Sequence, residues 1–313
     1  MSSTLPTHSQ VVIVGGGIIG VSIAYHLTKL GIRDVTVLER GTLTCGTTWH
    51  AAGLVMQLRA THTMTEICRY GVDLLKTLEK ETGQATGFKQ NGSLPIARTP
   101  DRLIEIKRLV SLGKCFGIDA HVLTPSEVKA HYPILDETQI VGGAFIPGDG
   151  QTNPVDTTMA LAKGARMGGA KIIEGVAVTG FRIEAGAVKG VITDQGEITC
   201  ETAVLSAGIW TRNLAKLAGV NVPLYAAEHM YVTMEAGEGI SPNLPVLRDT
   251  DGYVYVKEDA GKLVVGAFEP NAKPLPVSSL PPKFEFGELQ EDWEQFELPM
   301  MNAIRMIPMR RPV

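Results

Sequence analysis

None of the four cysteines, Cys45, Cys68, Cys115 and Cys200, stands in a C-x-x-C pair, so the sequence suggests neither a zinc site nor a disulfide framework, and a reducing compartment suits it. Basic residues are not in excess. The 29 Lys and Arg against 33 Asp and Glu leave a net charge of -4, without the positive footprint that a row of phosphates would demand, so nucleic acid is not expected as a partner. No uninterrupted apolar run reaches the about 18 residues of a membrane span; the stretch from Val11 is broken by glycines, Ser22 and His26. The opening MSSTLPTHSQ contains no Lys or Arg and so lacks the charged start of a secretory or mitochondrial presequence, which makes a cytoplasmic location the expectation. Repeats and low-complexity tracts are also missing, and only residues 270–283, with five prolines, read as an irregular connection across the surface. What the chain does have is apolar content, 44% of 313 residues with 20% charged, enough for a large core in one large or two intimate domains.

Val11-Val12-Ile13-Val14 is apolar on both faces, as a central parallel strand covered by helices must be. Gly15-x-Gly17-x-x-Gly20 follows at once and opens an apolar helical pattern through Ile18, Ile19, Ile23, Ala24 and Leu27. In that context one glycine permits the tight turn, the next lets a pyrophosphate approach the backbone, and the third lets helix and strand pack closely, while free amides at the helix start face the phosphates. A second strand, Val35-Thr36-Val37-Leu38, ends in Glu39, nineteen positions past Gly20, where a carboxylate accepts from a ribose hydroxyl and disfavours a 2'-phosphate. A dinucleotide site is therefore expected. The fingerprint leaves open whether the dinucleotide is FAD or NAD.

Past Glu39-Arg40 the chain reads G-T-L-T-C-G-T-T-W-H-A-A-G-L, residues 41–54, small enough throughout for close backbone approach to a ligand. It leaves the second strand beside the ribose and would carry one imidazole, His50, along the cofactor. Taken alone, a single histidine among small residues reads first as a hydrogen-bonded structural side chain.

Helical spacing recurs over residues 66–81 and 99–117, and Thr124-Pro-Ser-Glu127 has the composition of a capped helix start. Asn153-Pro154 leads a helix-like run toward Gly168-Gly169 and a strand at 171–173, the pattern of a crossover back to the nucleotide lobe. Strands are expected around 176–179, 188–193 and 203–205, the last running into Ala207-Gly208. From Pro223 onward alternation dominates, at 229–233, 252–256 and 263–266, and suggests antiparallel strands of one sheet. Within such a strand Tyr253 and Tyr255 share a face, either lining a cavity or packing as ordinary aromatics. Arg248 reads as a contact for a substrate carboxylate or as an ordinary salt bridge.

The wording G-T-T-W-H-A-A-G-L strongly resembles the sarcosine and dimethylglycine dehydrogenase family of flavoproteins, and the resemblance continues through Glu81-Thr-Gly83, Gln90-Asn-Gly-Ser93, Ser111-Leu-Gly-Lys114, Pro147-Gly-Asp-Gly150, Ala207-Gly208 with Trp210, and Leu244-Pro-Val-Leu-Arg-Asp249. Phe284-Glu-Phe-Gly287 with Asp292-Trp293 looks more like the sarcosine enzymes. The resemblance implies an α/β fold: a Rossmann-like FAD lobe, residues 1–86 and 146–222, with an inserted substrate lobe on a largely antiparallel sheet, residues 87–145 and 223–313. It implies FAD carried covalently on His50, held by Gly15, Gly17, Gly20, Glu39, Arg40, Thr47, Thr48, Gly53, Leu54, Ala207 and Gly208, with the backbone near Val178 meeting the adenine. His229 and Tyr255 match an active-site His and Tyr of dimethylglycine-oxidising relatives, with Arg248 toward the carboxylate; no metal is implied.

The implied reaction is oxidation of an N-methylated glycine, sarcosine first and dimethylglycine second, through an iminium ion that hydrolyses to formaldehyde, with electrons passed to an electron-transferring flavoprotein. The sequence ends at residues 309–313, short of the flavin-lobe return and folate-binding module of those relatives, so no tetrahydrofolate site is expected in it. Two further readings are a catalytically silent relative, similar to the pyruvate dehydrogenase phosphatase regulatory subunit, which lacks the T-W-H histidine, and a glycine or D-amino-acid oxidase with non-covalent FAD.

Overall fold

The computed structural model describes residues 4–235 and 240–308. Five residues of the last segment read above, 309–313, lie outside them. The apolar Val11–Val14 run forms the centre of a six-stranded sheet because both of its faces are covered: Val12 and Ile13 are wholly buried, in clusters on opposite sides. From edge to edge the sheet runs Lys171–Glu174, Val35–Glu39, His8–Val14, Gly196–Leu205, Ala187–Thr193 and Val178–Glu184. The first four strands are mutually parallel and the last two complete it antiparallel. One face carries helices Ile18–Lys29 and Pro154–Met167, whose close approach needs Gly164: a Cβ there would meet the Tyr25 ring at 2.7 Å. The Tyr25 hydroxyl in turn donates to Glu81 at 2.9 Å, tying on helix His62–Thr82.

The second sheet has seven strands in the order Tyr231–Glu235, Lys262–Ala267, Val254–Asp259, Val246–Asp249, Ser93–Ala97, Gly142–Phe145 and His121–Leu123. All neighbours are antiparallel except Val246–Asp249 beside Ser93–Ala97. Its register sets Leu94, Leu247, Val256, Val265 and Val232 in one row across five strands. That row packs on Phe296, Ala303 and Met306 of helix Trp293–Met306, at about 1.5–3 kcal/mol for each side chain fully removed from water. Arg98 fastens the two layers, donating through Nε to buried Asp249 at 2.7 Å and through its terminal nitrogen to the Asn302 carbonyl at 3.1 Å. Since successive side chains of a strand alternate, the next row, Tyr231, Gly266, Tyr255, Arg248 and Pro95, faces the other way.

The helices expected from spacing form where their caps allow. Thr61 and Thr99 accept from the third residue on, and Gly83 and Gly117, at φ +63° and +70°, end helices His62–Thr82 and Pro100–Phe116. Thr124 and Glu127 close a reciprocal capping box. One expectation needs correcting. Tyr253 does not share a strand face with Tyr255; it sits in the preceding turn at φ +59°, and the strand begins at Val254. Among the described residues no helix is long and apolar enough to cross a membrane.

Candidate functional site

The carboxyl ends of the parallel strands converge on the glycine turn. Gly15 adopts φ +114°, and a Cβ on it would overlap the Ser206 carbonyl, while one on Gly20 would overlap the Gly15 carbonyl. Ser206 is drawn in by two bonds to Val14 O, from its amide at 2.9 Å and its hydroxyl at 3.0 Å, which presses the Ala207–Gly208 turn against Gly15. Helix Ile18–Lys29 starts at Gly17 with no acid in its first turn, leaving its positive end for an anion. Thr48 Oγ1 accepts from the Ile18 amide at 3.1 Å, and a Cβ on Gly208 would stand 3.8 Å from Thr47 Oγ1. The loop after the second strand thus lies over both turns.

Glu39 is buried at the end of that strand, and its carboxylate accepts from the Gly16 amide at 2.7 Å and the Gly41 amide at 2.9 Å. Oε1 accepts also from the Cys45 thiol at 3.8 Å, while Oε2 keeps a further lone pair for a hydroxyl. Arg40 stacks over the Trp210 ring at 4.1 Å. Val178 opens the edge strand two residues past Val176, whose amide donates to the Glu39 carbonyl at 2.9 Å. Gly53, at φ +71°, is pinned against the Thr152 carbonyl, and Leu54 pairs with Gln151.

His50 stacks on Trp49 with ring centroids 4.0 Å apart, and its Nε2 donates to the Gly287 carbonyl at 2.9 Å. Phe286 packs edge-on against Trp49, and its amide donates to the Cys45 carbonyl at 2.9 Å. Phe286 and Gly287 therefore cover the small-residue loop. The Cys45 thiol is pushed up to about 11 by burial and by the Glu39 and Glu285 carboxylates, so it stays protonated and unreactive at neutral pH. Trp49 Nε1 is shut off from solvent with no partner among the described residues, an unmet donor beside His50. Clash-limited glycines, an acid-free helix start, Glu39 and this donor together fit a bound dinucleotide flavin.

On the free face of the second sheet, the register places Tyr231, Gly266, Tyr255, Arg248 and Pro95 side by side across five strands. Tyr255 is 8% exposed, and its hydroxyl is pushed up to about 12 by burial, with Tyr231 and Glu269 adding to the effect. It is a neutral donor at ordinary pH. The ring lies over Gly266, where a Cβ would overlap it. His229 is mostly exposed and is oriented by buried Glu269, with Nδ1 at 2.6 Å from Oε2, while the other oxygen accepts from the Met230 amide at 2.9 Å.

Arg248 forms no salt bridge among the described residues, and its Nε is out of solvent without a partner. Burial and neighbouring Arg59 pull its guanidinium below its usual range, with Asp149 opposing; it stays charged nonetheless. Sequence reasoning missed Arg59, Glu269 and Asp149. A lone Arg after Gln57-Leu58 carries no local signature, and the pairing of Glu269 with His229 spans forty positions.

The comparisons agree with this architecture. The chain is 43% identical over 304 residues to 4-methylaminobutanoate oxidase (formaldehyde-forming) of Paenarthrobacter nicotinovorans, covering 97% of this chain and 37% of that protein. It is 42% identical over 313 residues to mitochondrial sarcosine dehydrogenase of Homo sapiens, covering 98% and 34%. The chain thus spans about a third of the length of these curated relatives. Among solved structures, L-proline dehydrogenase from P. horikoshii superposes with a TM-score of 0.85 at 27% identity, covering 97% of this chain and 78% of that one. The model of the FAD dependent oxidoreductase family matches residues 10–313, and the chain belongs to that family.

Proposed function

We propose that the protein is an FAD-dependent amine oxidoreductase that removes an N-methyl group from a small amino acid, sarcosine before dimethylglycine, yielding the demethylated amine and formaldehyde. The observation that carries this reading is Arg248, directly across from Tyr255, whose Nε is shut off from solvent without a partner and which forms no salt bridge among the described residues. A guanidinium partly withdrawn from water with one donor unmet favours an anionic partner, because that lost hydration is otherwise uncompensated. The substrate carboxylate is that partner, with Arg59 beside it. The printed activities of the similar proteins, sarcosine dehydrogenation and formaldehyde-forming oxidation of a methylamino acid, fit the same chemistry.

When bound, FAD supplies the two-electron acceptor needed for loss of a hydride equivalent from the N-methyl carbon. The chain's own residues do the rest. Arg248 and Arg59 fix the carboxylate and so direct the amine along the sheet face toward Tyr255 and the His229–Glu269 pair. Only an amine with a free lone pair stabilises the developing iminium, and the Glu269 carboxylate, relayed through the His229 imidazole, takes the ammonium proton. The glycine turn, Glu39, Thr47, Thr48, Val178 and Ala207–Gly208 would hold the dinucleotide, and His50 would tether its ring system covalently. Electrons leave to an electron-transferring flavoprotein.

Anaerobic mixing of the purified protein with sarcosine should bleach its flavin absorbance, with dimethylglycine slower. Persistence of the oxidised spectrum with every N-methyl amine tried would overturn the reading.

A further inference from the structure

Beneath the arginine pair lies a third charge that the reaction does not use. The Asp149 carboxylate is 1% exposed as a residue and is fastened on both sides: Oδ2 accepts from Ser93 Oγ at 2.6 Å and Oδ1 from the Gln57 amide at 2.8 Å. Ser93 lies opposite Val246 and Pro95 opposite Arg248, so the first bond anchors Asp149 one step along the strands that carry the guanidinium. Gln57 precedes Arg59 by two residues, so the second anchors it to the segment that carries the other. Asp149 nevertheless forms no ion pair with either arginine among the described residues. Arg59 spends its Nε on Cys68 Sγ at 3.3 Å, and Arg248 Nε has no partner.

The arrangement is two cations and one fixed anion held apart. With Asp149 ionised, the group carries one uncompensated positive charge, which one carboxylate neutralises. With Asp149 neutral, it carries two. Both of its hydrogen bonds are donated to the carboxylate and favour its ionised form, as does Arg59, whereas burial raises its pKa and prevails.

Building on the amine-oxidation reading above, we infer that Asp149 sets the charge of the substrate pocket, restricting it to amines bearing a single carboxylate and rejecting dicarboxylates. Asp149 acts through the pocket's charge balance, as a specificity-determining residue, and takes no part in the transfer of electrons or protons. An Asp149→Asn change keeps the shape and one carbonyl acceptor while removing the charge.

The test uses the flavin-loaded protein and two amine-free probes that cannot be oxidised, methoxyacetate with one carboxylate and oxydiacetate with two, titrated calorimetrically. The native protein should bind methoxyacetate about tenfold tighter than oxydiacetate, and D149N should reverse that order, a swing of about a hundredfold in the ratio. A merely structural role for Asp149 would weaken both probes together; an unchanged ratio in D149N, or a native preference for oxydiacetate, overturns the inference.

A second measurement needs no variant. The groups facing Asp149 are Ser93 on one strand, the Gln57 amide and Arg59 on the segment before helix His62–Thr82, and Arg248 on the neighbouring strand. Lowering the pH favours the neutral form of a carboxylate whose pKa burial raises, so the native ratio should move toward oxydiacetate as pH falls over the range in which the protein stays folded; a ratio that stays flat or moves the other way overturns the inference even if D149N does not fold. The two readings fail separately. Bleaching by sarcosine with an unchanged probe ratio sinks only the charge assignment, and a switched ratio without bleaching sinks only the reaction.

Discussion

Gly266 shows how one missing methyl group shapes the amine site. It pairs with Tyr231 on one side and Tyr255 on the other, and the Tyr255 ring occupies the space its side chain would need. In Gly266→Ala the clash falls on the far end of a flexible side chain, so the ring moves and the backbone stays. Overpacking of this kind costs about 1–3 kcal/mol. The larger effect belongs to function: with the Tyr255 hydroxyl displaced, the rate of anaerobic flavin reduction by sarcosine should fall about tenfold or more while the protein stays folded. Unaltered reduction kinetics in a folded Gly266→Ala protein would remove Tyr255 from the site. Nothing in the string Leu263-Val-Val-Gly266 announces this role, because the clash that defines it comes from a neighbouring strand. The resemblance favours Tyr255, and Tyr253 lies outside its strand, in the preceding turn at φ +59°.

At the level of elements, the glycine turn and the second strand are joined by Glu39. Its carboxylate receives the Gly16 and Gly41 amides, so the residue expected to meet a ribose also staples the turn that receives the pyrophosphate. Glu39→Gln substitutes an amide that can accept only one of those bonds well, and the other backbone donor is left facing an NH2 group. An unmet buried donor costs about 1–3 kcal/mol. The variant should therefore melt earlier and be isolated with less flavin per polypeptide, read from thermal denaturation and from absorbance of the purified protein; a variant with native melting and full flavin would show that the staple contributes nothing. This element was legible because its parts are contiguous: strand, glycines, helix and Glu39 occur within forty residues, and so do the Thr and Gly caps of the later helices. Arg59, Asp149 and Glu269 were not legible. Their meaning depends on which strands lie side by side and in what register, a property of the assembled sheet that no local spacing encodes.

For the whole molecule, the decisive feature is that the loop of one lobe touches a segment of the other through the proposed tether itself. His50 reaches Gly287, and Phe286 reaches Cys45 and Trp49, so this contact links the six-stranded sheet to the seven-stranded one. A ligand that binds only the folded state stabilises it by mass action, about 2.7 kcal/mol at a hundredfold excess over its Kd. A cofactor joined to the chain cannot be diluted away, and its stabilisation does not depend on free FAD. The native protein should therefore show a melting temperature independent of added FAD. His50→Ala loses both the tether and the Gly287 bond, should carry no flavin after denaturation, and should melt lower in the absence of FAD. Its melting temperature should then climb steadily with the logarithm of FAD concentration, by about 1.4 kcal/mol of stability per decade once the site is saturated. A native protein whose melting temperature also climbs with free FAD would mean that the flavin is held by the glycine turn and its neighbours alone, and that His50 serves only to join the two lobes.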